Sequence, residues 1–78
     1  MSADLQHARA LLAEALSIAP EAVGEDAGPE TLEAWDSLAQ MRLVLAIEAA
    51  RGHRVTMEEA VEIFSLPAIA AALAAGRN

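Results

Sequence analysis

The sequence contains no cysteine and no tyrosine, and it has only one tryptophan and one phenylalanine among its 78 residues. Without cysteine, the chain has no disulfide bond, no cysteine-ligated metal and no thiol chemistry of its own. Its hydrophobic content of 55% consists mainly of alanine, leucine, isoleucine and valine. A composition rich in alanine and leucine, without runs of β-branched residues, is typical of a helical protein.

Positive charge is also scarce, since five basic residues stand against twelve acidic ones and the formal net charge is -7. Nucleic-acid binding requires clustered Lys and Arg that neutralise phosphates, and an anionic membrane surface attracts the same residues. The charge balance therefore argues against both kinds of partner. It suits solubility and electrostatic attraction to basic proteins.

Long apolar runs are missing as well, because no segment approaches the ~20 residues that a membrane-spanning helix needs. The first ten residues, "MSADLQHARA", lack the charged and apolar segments of a signal peptide. We therefore expect one small domain over residues 1–78, cytoplasmic, monomeric and without membrane insertion. A domain of this size buries roughly 60% of the surface that its unfolded chain exposes.

Apolar side chains at helical spacing, together with capping signals, predict four helices and one long loop. The first helix is expected over about 3–17, with Ser2 as its N-cap. Prolines and glycines between Ala19 and Glu30 exclude a continuous helix there. The loop over about 18–35 is long for a small domain, so we expect it to have local structure or a function. Its candidate anchors on the core are Val23, Leu32 and Trp35.

The second helix has clearly marked ends. Asp36 is predicted as its N-cap, where a carboxylate accepts a backbone hydrogen bond and meets the positive end of the helix dipole. Gly52 is predicted to end it after Arg51. Its expected core side consists of Met41, Val44, Ile47 and Arg51. Another face consists of Leu38, Arg42, Leu45 and Ala49. Because the helix is apolar over more than one stripe, part of it should contact something besides its own core.

Two shorter helices complete the chain. Thr56 and Glu59 have the spacing of a capping box, which predicts a short third helix. Its expected apolar side consists of Met57, Ala60, Val61 and Ile63. The fourth helix is expected to start after Ser65, with Pro67 in its first turn and Gly76 beyond its end. Its expected core side consists of Leu66, Ile69, Ala70 and Leu73. Together these elements predict an all-α four-helix bundle with a long loop between helices 1 and 2 and a short third helix.

Ser37, in the segment "LEAWDSLAQMRL", is the residue whose chemistry the local pattern leaves open. It could be part of a helix start, a nucleophile or a site of modification. A nucleophilic serine needs a general base nearby, but His7 and His53 are both remote in sequence and no G-x-S-x-G motif surrounds Ser37. The acidic segment "EDAGPE" lacks the alternating ligands of a calcium loop. We therefore expect neither intrinsic catalysis nor a metal site.

The segments "WDSLAQMRLVLAIEAARGHRV" and "TMEEAVEIFSLPAIAAAL" resemble the acyl carrier proteins, a family of phosphopantetheine-binding domains, and in particular the stand-alone type. The resemblance extends from Ser2 to Leu73 and is strongest from Trp35 onward. It implies that a phosphopantetheinyl transferase attaches 4'-phosphopantetheine from coenzyme A to Ser37, which explains why the chain needs no base. Asp36 and Leu38 would help to engage the transferase, with capping alone and burial as their respective alternatives.

The resemblance also implies a set of partners. A loading ligase would supply an acyl or aminoacyl group, held as a thioester on the arm, and downstream enzymes of fatty acid, polyketide or nonribosomal peptide metabolism would use it. The chain itself would not be an enzyme. By family pattern, the residues expected to contact partners are Leu38, Arg42, Leu45, Glu48, Glu58 and Glu59. The alternative function is an acidic helical adaptor or inhibitor that binds a basic protein without being modified.

Two departures from the carriers of fatty-acid synthesis point to a dedicated pathway. Those carriers place several acidic residues on the second helix, whereas this helix has Glu48 alone, and a basic partner would repel Arg42. Gln40 and Arg51 interrupt the channel that a long acyl chain would occupy, although Arg51 could instead extend to solvent at the helix end. If both residues matter to the cargo, that cargo is short or polar.

Overall fold

Four α-helices are present in the computed structural model, which describes residues 3–75. They are α1 (Ala3–Leu16), α2 (Ser37–Arg51), α3 (Met57–Ala60) and α4 (Leu66–Ala74). A 3₁₀ turn at Pro20–Ala22 lies between α1 and α2, and no strand occurs in the described part of the chain. The all-α class and the order of the helices agree with the prediction. The predicted cap Ser2 and the predicted end residue Gly76 lie outside the described residues.

Helix α1 ends one residue earlier than the sequence suggested, because Ser17 adopts a left-handed conformation with a φ of 59°. The N–H of Ser17 donates to the carbonyl of Glu14 (3.2 Å), and the N–H of Ile18 donates to the carbonyl of Ala13 (3.0 Å). These two bonds form a Schellman motif, which commonly has glycine at the left-handed position. Ile18 then packs against the core. The helix therefore ends with good hydrogen bonds but at a strained residue.

The connection between α1 and α2 has local structure, as its length suggested. The N–H groups of Thr31 and Leu32 both donate to the carbonyl of Gly28 (3.0 Å each), and the Thr31 hydroxyl accepts from the Gly28 N–H (3.0 Å). Val23 and Trp35 are buried and Leu32 packs partly buried against the core, which confirms all three predicted anchors. The connection therefore brings Trp35 and the start of α2 to a defined position.

The core lies between α1, α2 and α4, which pack against one another. Its largest fully buried side chains are Leu12, Leu43, Ile47 and Ile69. The predicted core side of α2 was wrong in part, because Met41 is 63% exposed and Val44 is only half-buried. The buried residues of α2 are Ala39, Leu43 and Ile47. Since α2 is apolar on several sides, its periodicity alone could not indicate which side packs against α1 and α4.

Helix α3 is a single turn closed by the predicted capping box. The N–H of Glu59 donates to the Thr56 hydroxyl (3.1 Å), and the N–H of Thr56 donates to a carboxylate oxygen of Glu59 (3.0 Å). The predicted apolar side was wrong in part, because Met57 is 83% exposed and Val61 is 64% exposed. Only Ile63, just beyond the helix, is fully buried. One turn is too short to direct four apolar residues toward the same core.

Helix α4 agrees more closely with its prediction. The Ser65 hydroxyl accepts from the Ala68 N–H (3.2 Å), so Ser65 is the N-cap, and proline occupies the first turn. Leu66, Ile69 and Leu73 are buried as expected. Ala72 is buried in addition, whereas Ala70 packs only partly buried against the core. The large side chains of Leu66, Ile69 and Leu73 recur at helical spacing among smaller residues, and this spacing was enough to orient the helix.

Ser17 and Gly52, which follow α1 and α2 and have a positive φ, should respond in opposite ways to substitution. Ser17→Gly is expected to raise the free energy of unfolding by about 0.5–1 kcal/mol, because glycine adopts a positive φ without strain. Gly52→Ala should lower it by about 1–2 kcal/mol, since Gly52 has a φ of 82° and a side chain there would be strained although it would meet no other atom. Urea unfolding followed by circular dichroism measures both. Gly52→Asn is the control and should cost less than Gly52→Ala, because asparagine tolerates this conformation; equal effects would contradict the explanation.

Candidate functional site

Ser37 is the first residue of α2, and its side chain is exposed. Asp36 caps the helix as predicted: its carboxylate accepts from the Ala39 N–H (2.9 Å), and its backbone carbonyl accepts from the Gln40 N–H (2.9 Å). The N–H groups in the first turn of a helix have no partner within the helix, and the aligned peptide dipoles favour negative charge there. The Ser37 hydroxyl therefore lies where an attached phosphate would be electrostatically favoured.

Neither histidine is among the described residues that line the surface beside Ser37. His53 follows the end of α2, so the length of this 15-residue helix, about 22 Å, separates it from Ser37. His7 lies on α1 and is exposed to solvent. Among the described residues, no group of His, Cys, Asp and Glu side chains is arranged to hold a metal ion. The described residues therefore place no histidine where it could act as the general base that a serine nucleophile needs.

An open depression of about 380 Å³ adjoins the serine. Its lining residues are Pro29, Trp35, Asp36, Ser37, Gln40 and Phe64. Trp35 is 4% exposed and Phe64 is 44% exposed, and their ring centroids are 6.3 Å apart with an interplanar angle of 35°. This separation is typical of an interacting aromatic pair. The two aromatic residues are far apart in the chain, so the sequence pattern had not indicated that they meet beside Ser37.

The side chain of Gln40 forms the wall between this depression and α3. Its amide oxygen accepts from the indole N–H of Trp35 (2.6 Å). Its amide nitrogen donates to the carbonyls of Ala60 (3.3 Å) and Ile63 (3.0 Å). One side chain on α2 therefore binds both the end of the loop and the α3 region. The gap between α2 and α3 at this level is closed by a polar side chain.

The side chain of Arg51 is 1% exposed and does not extend into solvent. Its two terminal nitrogens each donate to a carboxylate oxygen of Glu59 (2.9 Å each). The guanidinium also donates to the carbonyls of Ala72 (3.0 Å) and His53 (3.2 Å), and to that of Arg54. The alternative in which Arg51 extends to solvent was therefore wrong. Arg51 instead joins the end of α2 to α3 and α4.

The bonds made by Glu59 change how it titrates. The hydrogen bond from Arg51, followed by that from the Thr56 N–H, lowers the pKa of Glu59 from 4.5 to about 2. The same hydrogen bond with Glu59 raises the pKa of Arg51. Glu59 is therefore ionised at neutral pH, and both of its oxygens are bound within the domain.

The residues predicted to contact partners fall into two groups. Exposed side chains make up the first group, which consists of Leu38, Arg42, Leu45 and Glu58. Leu38 is 55% exposed, so burial, the alternative for this residue, is excluded. Glu48 and Glu59 form the second group and bond internally, since a Glu48 carboxylate oxygen accepts from the Val55 N–H (2.9 Å). The first group is therefore free to contact another protein, whereas the second group stabilises the fold.

Three apolar residues are exposed, although the sequence pattern had assigned them to the core. They are Met41 on α2, Met57 on α3 and Val61 just after α3. The signal that could have identified them was the excess of apolar residues on α2 and the shortness of the third helix. Met41 and Leu45 line an open groove of about 390 Å³ that reaches Ala60 at the end of α3.

Comparison with known proteins gives no match, since neither a protein-family model nor a curated protein sequence matches this chain. Among the described residues, no helix has the length and apolar character required to cross a membrane. The function proposed below therefore rests on the geometry around Ser37 and on the resemblance of the segments that contain it.

Replacing Glu59 with glutamine should destabilise the fold at neutral pH but not in strong acid. Glutamine retains an oxygen for the capping box, but it lacks the charge that pairs with Arg51. Because folding lowers the pKa of Glu59, its stabilising effect is present above its ordinary pKa of 4.5 and is lost as the pH falls toward about 2. Urea unfolding of both proteins across this pH range measures the difference in the free energy of unfolding.

The matched control is Glu58→Gln, at the exposed neighbouring position. It should reproduce the wild-type dependence of stability on pH. If Glu59→Gln differed from the wild type by the same amount at every pH, the ion pair with Arg51 would not be the source of the effect.

Proposed function

We propose that this chain is a carrier protein that holds an acyl or aminoacyl group on a 4'-phosphopantetheine arm at Ser37. The observation that carries the proposal is an exposed serine at the first residue of α2, next to an open depression that neither histidine lines. A serine in this position is accessible to a modifying enzyme. In this proposal the four helices form the bundle of a carrier domain, which acts as a cytoplasmic monomer in a dedicated biosynthetic pathway.

The residues around Ser37 fit the attached group. A transferase would join the Ser37 oxygen to the phosphorus next to the pantetheine part of coenzyme A, and the pyrophosphate bond would break to release adenosine 3',5'-bisphosphate. The hydroxyl proton would pass to a base of the transferase. The positive end of the α2 dipole offsets the charge of the new phosphodiester, and Asp36 holds the first turn in place. When bound, the group supplies a terminal thiol for the cargo thioester, which a chain without cysteine cannot supply.

The exposed apolar side chains beside Ser37 support a docking surface for enzymes. Leu38, Met41 and Leu45 lie on one side of α2, with Arg42 among them. Solvent-exposed apolar side chains that lie close together commonly mark protein contact sites. We propose that the transferase and the loading ligase cover this surface. Arg42 favours a partner whose facing surface carries an acidic residue.

An acidic adaptor or inhibitor that binds a basic protein without modification is the second candidate. The net charge of -7 favours it, as do the exposed carboxylates of Glu58 and Glu62 near α3. A carrier could have the same charges. An unmodified adaptor, by contrast, would not use the accessible Ser37. The carrier is therefore the better supported of the two.

The polar side chains between α2 and α3 support a short or polar cargo, or one that stays outside the helices. Gln40 is bonded to the carbonyls of Ala60 and Ile63, and Arg51 is bonded to Glu59 and Ala72. An apolar chain entering between α2 and α3 would have to break these bonds and leave their partners unpaired. Each such loss costs about 1–3 kcal/mol.

Modification of Ser37 is directly measurable. The purified chain is incubated with coenzyme A and a broad-specificity phosphopantetheinyl transferase, and its intact mass is then recorded. We expect a gain equal to one phosphopantetheine in the wild type and no gain in Ser37→Ala. The control Ser17→Gly, which removes an exposed serine elsewhere, should gain the same mass as the wild type. A folded wild-type chain that stays unmodified would contradict the carrier function and favour the adaptor.

The length of an attached acyl chain should have little effect on thermal stability. The transferase is supplied with acetyl- or dodecanoyl-coenzyme A so that each acylated form is prepared directly. The two forms are expected to have nearly equal melting temperatures, because the long chain stays outside the core. Burial of the longer chain would instead add about 0.8 kcal/mol for each methylene. A melting temperature that rises by many degrees with chain length would show that Gln40 and Arg51 do not exclude the cargo.

A further inference from the structure

We infer that the depression beside Ser37 binds the segment of the phosphopantetheine arm nearest to the serine, and that Phe64 is its main contact. In this segment a methylene and a carbon with two methyl groups follow the phosphate, then a carbon with a hydroxyl group and the first of two amides. The inference rests on the proposed function and adds a location for the arm on the protein. The depression, of about 380 Å³, is open to solvent and directly adjoins Ser37, where the arm would begin.

The aromatic wall of the depression is formed before any ligand arrives. Phe64 directly follows the buried Ile63, and its ring leans on Trp35 with the centroids 6.3 Å apart. Trp35 is in turn held by the bond from its indole nitrogen to Gln40 (2.6 Å). A site whose walls are already fixed loses little conformational freedom on binding. Phe64 is nevertheless 44% exposed, so part of its ring is available for an apolar group to cover.

The charge of Asp36 decides which part of the arm can enter the depression. Among the described residues that line the depression, Asp36 alone is ionisable, and its carboxylate disfavours a second anion inside. The phosphate is held at the start of α2 by its bond to the Ser37 oxygen, and the helix dipole there favours it. The next part of the arm is uncharged. Its methyl groups match Phe64 and Pro29, and its amide N–H groups match the oxygens of the Asp36 carboxylate and the Gln40 side-chain amide.

This site lies on the surface of the domain and is not a channel between the helices. The bonds from Gln40 to the carbonyls of Ala60 and Ile63 lie between the depression and the groove that Met41 and Leu45 line. An arm in the depression therefore runs along the loop side of Gln40. It leaves the docking surface formed by Leu38, Met41 and Leu45 free for a partner.

The test is a comparison of the unmodified and modified chains by NMR. The modified form is prepared with an isotope-labelled arm, and complete attachment at Ser37 is first established by intact mass. We expect the indole N–H signal of Trp35, the single tryptophan, to shift on modification. We also expect nuclear Overhauser effects between the two methyl groups of the arm and the ring of Phe64.

Matched variants separate this site from a general effect of modification. Phe64→Ala should still gain the full mass but lose the contacts to the arm methyl groups, whereas Phe64→Leu should retain contacts through its own methyl groups. Met57→Ala, which removes an exposed apolar side chain outside the depression, should behave as the wild type. A fully modified chain with unchanged Trp35 and Phe64 signals and no methyl contacts would overturn the inference while leaving the carrier function intact. A folded chain that gains no mass would overturn both.

Discussion

The hydrogen-bonded side-chain amide of Gln40 is the interaction on which the arrangement around Ser37 depends. It accepts from Trp35 and donates to the carbonyls of Ala60 and Ile63, so it connects the long loop, α2 and the α3 region. Each bond contributes only about 0.5–1.5 kcal/mol, but an unpaired buried partner would cost about 1–3 kcal/mol. The positions of both aromatic rings follow from these bonds, because Trp35 donates one of them and Phe64 directly follows Ile63, whose carbonyl accepts another.

At the C-terminal end of α2, Arg51 likewise connects separate parts of the chain through hydrogen bonds. Helix α3 is one turn long and two nearby apolar side chains, Met57 and Val61, are exposed, so it is not held mainly by hydrophobic packing. A helix this short is not stable by itself. It is held by its capping box, by the buried Ile63, and by polar side chains of α2 at both of its ends. The ion pair between Arg51 and Glu59 therefore stabilises the fold. From the sequence, Arg51 had been considered for a role in cargo choice and Glu59 for partner binding.

These polar bonds also determine which surfaces remain for function. They occupy the space between α2 and α3, so in the proposed function a group attached to Ser37 would lie outside the domain. They bind Glu59 internally, and a separate bond from the Val55 N–H engages Glu48. Only some of the predicted contact residues are left exposed, notably Leu38, Arg42 and Leu45. The resulting surface is apolar with one positive charge, in a chain that is acidic as a whole.

The helix ends were predictable because capping is local. Asp36 and Ser65 each accept a hydrogen bond from a residue three positions later, and Thr56 and Glu59 form their reciprocal pair over the same distance. A pattern of a few neighbouring residues contains all the information that such a contact needs. The accessible Ser37 at the start of α2 was predicted for the same reason.

The sequence by itself thus determined the helical class, the order of the helices and the place of the candidate serine. Only the tertiary structure decided which side of α2 is buried, where Gln40 and Arg51 bond, and that Met57 and Val61 lie at the surface. Gln40 contacts carbonyls 20 and 23 positions away, and Arg51 contacts one 21 positions away. The local sequence pattern of a helix with apolar residues on several sides does not specify such distant partners, because they are brought together only when the helices pack.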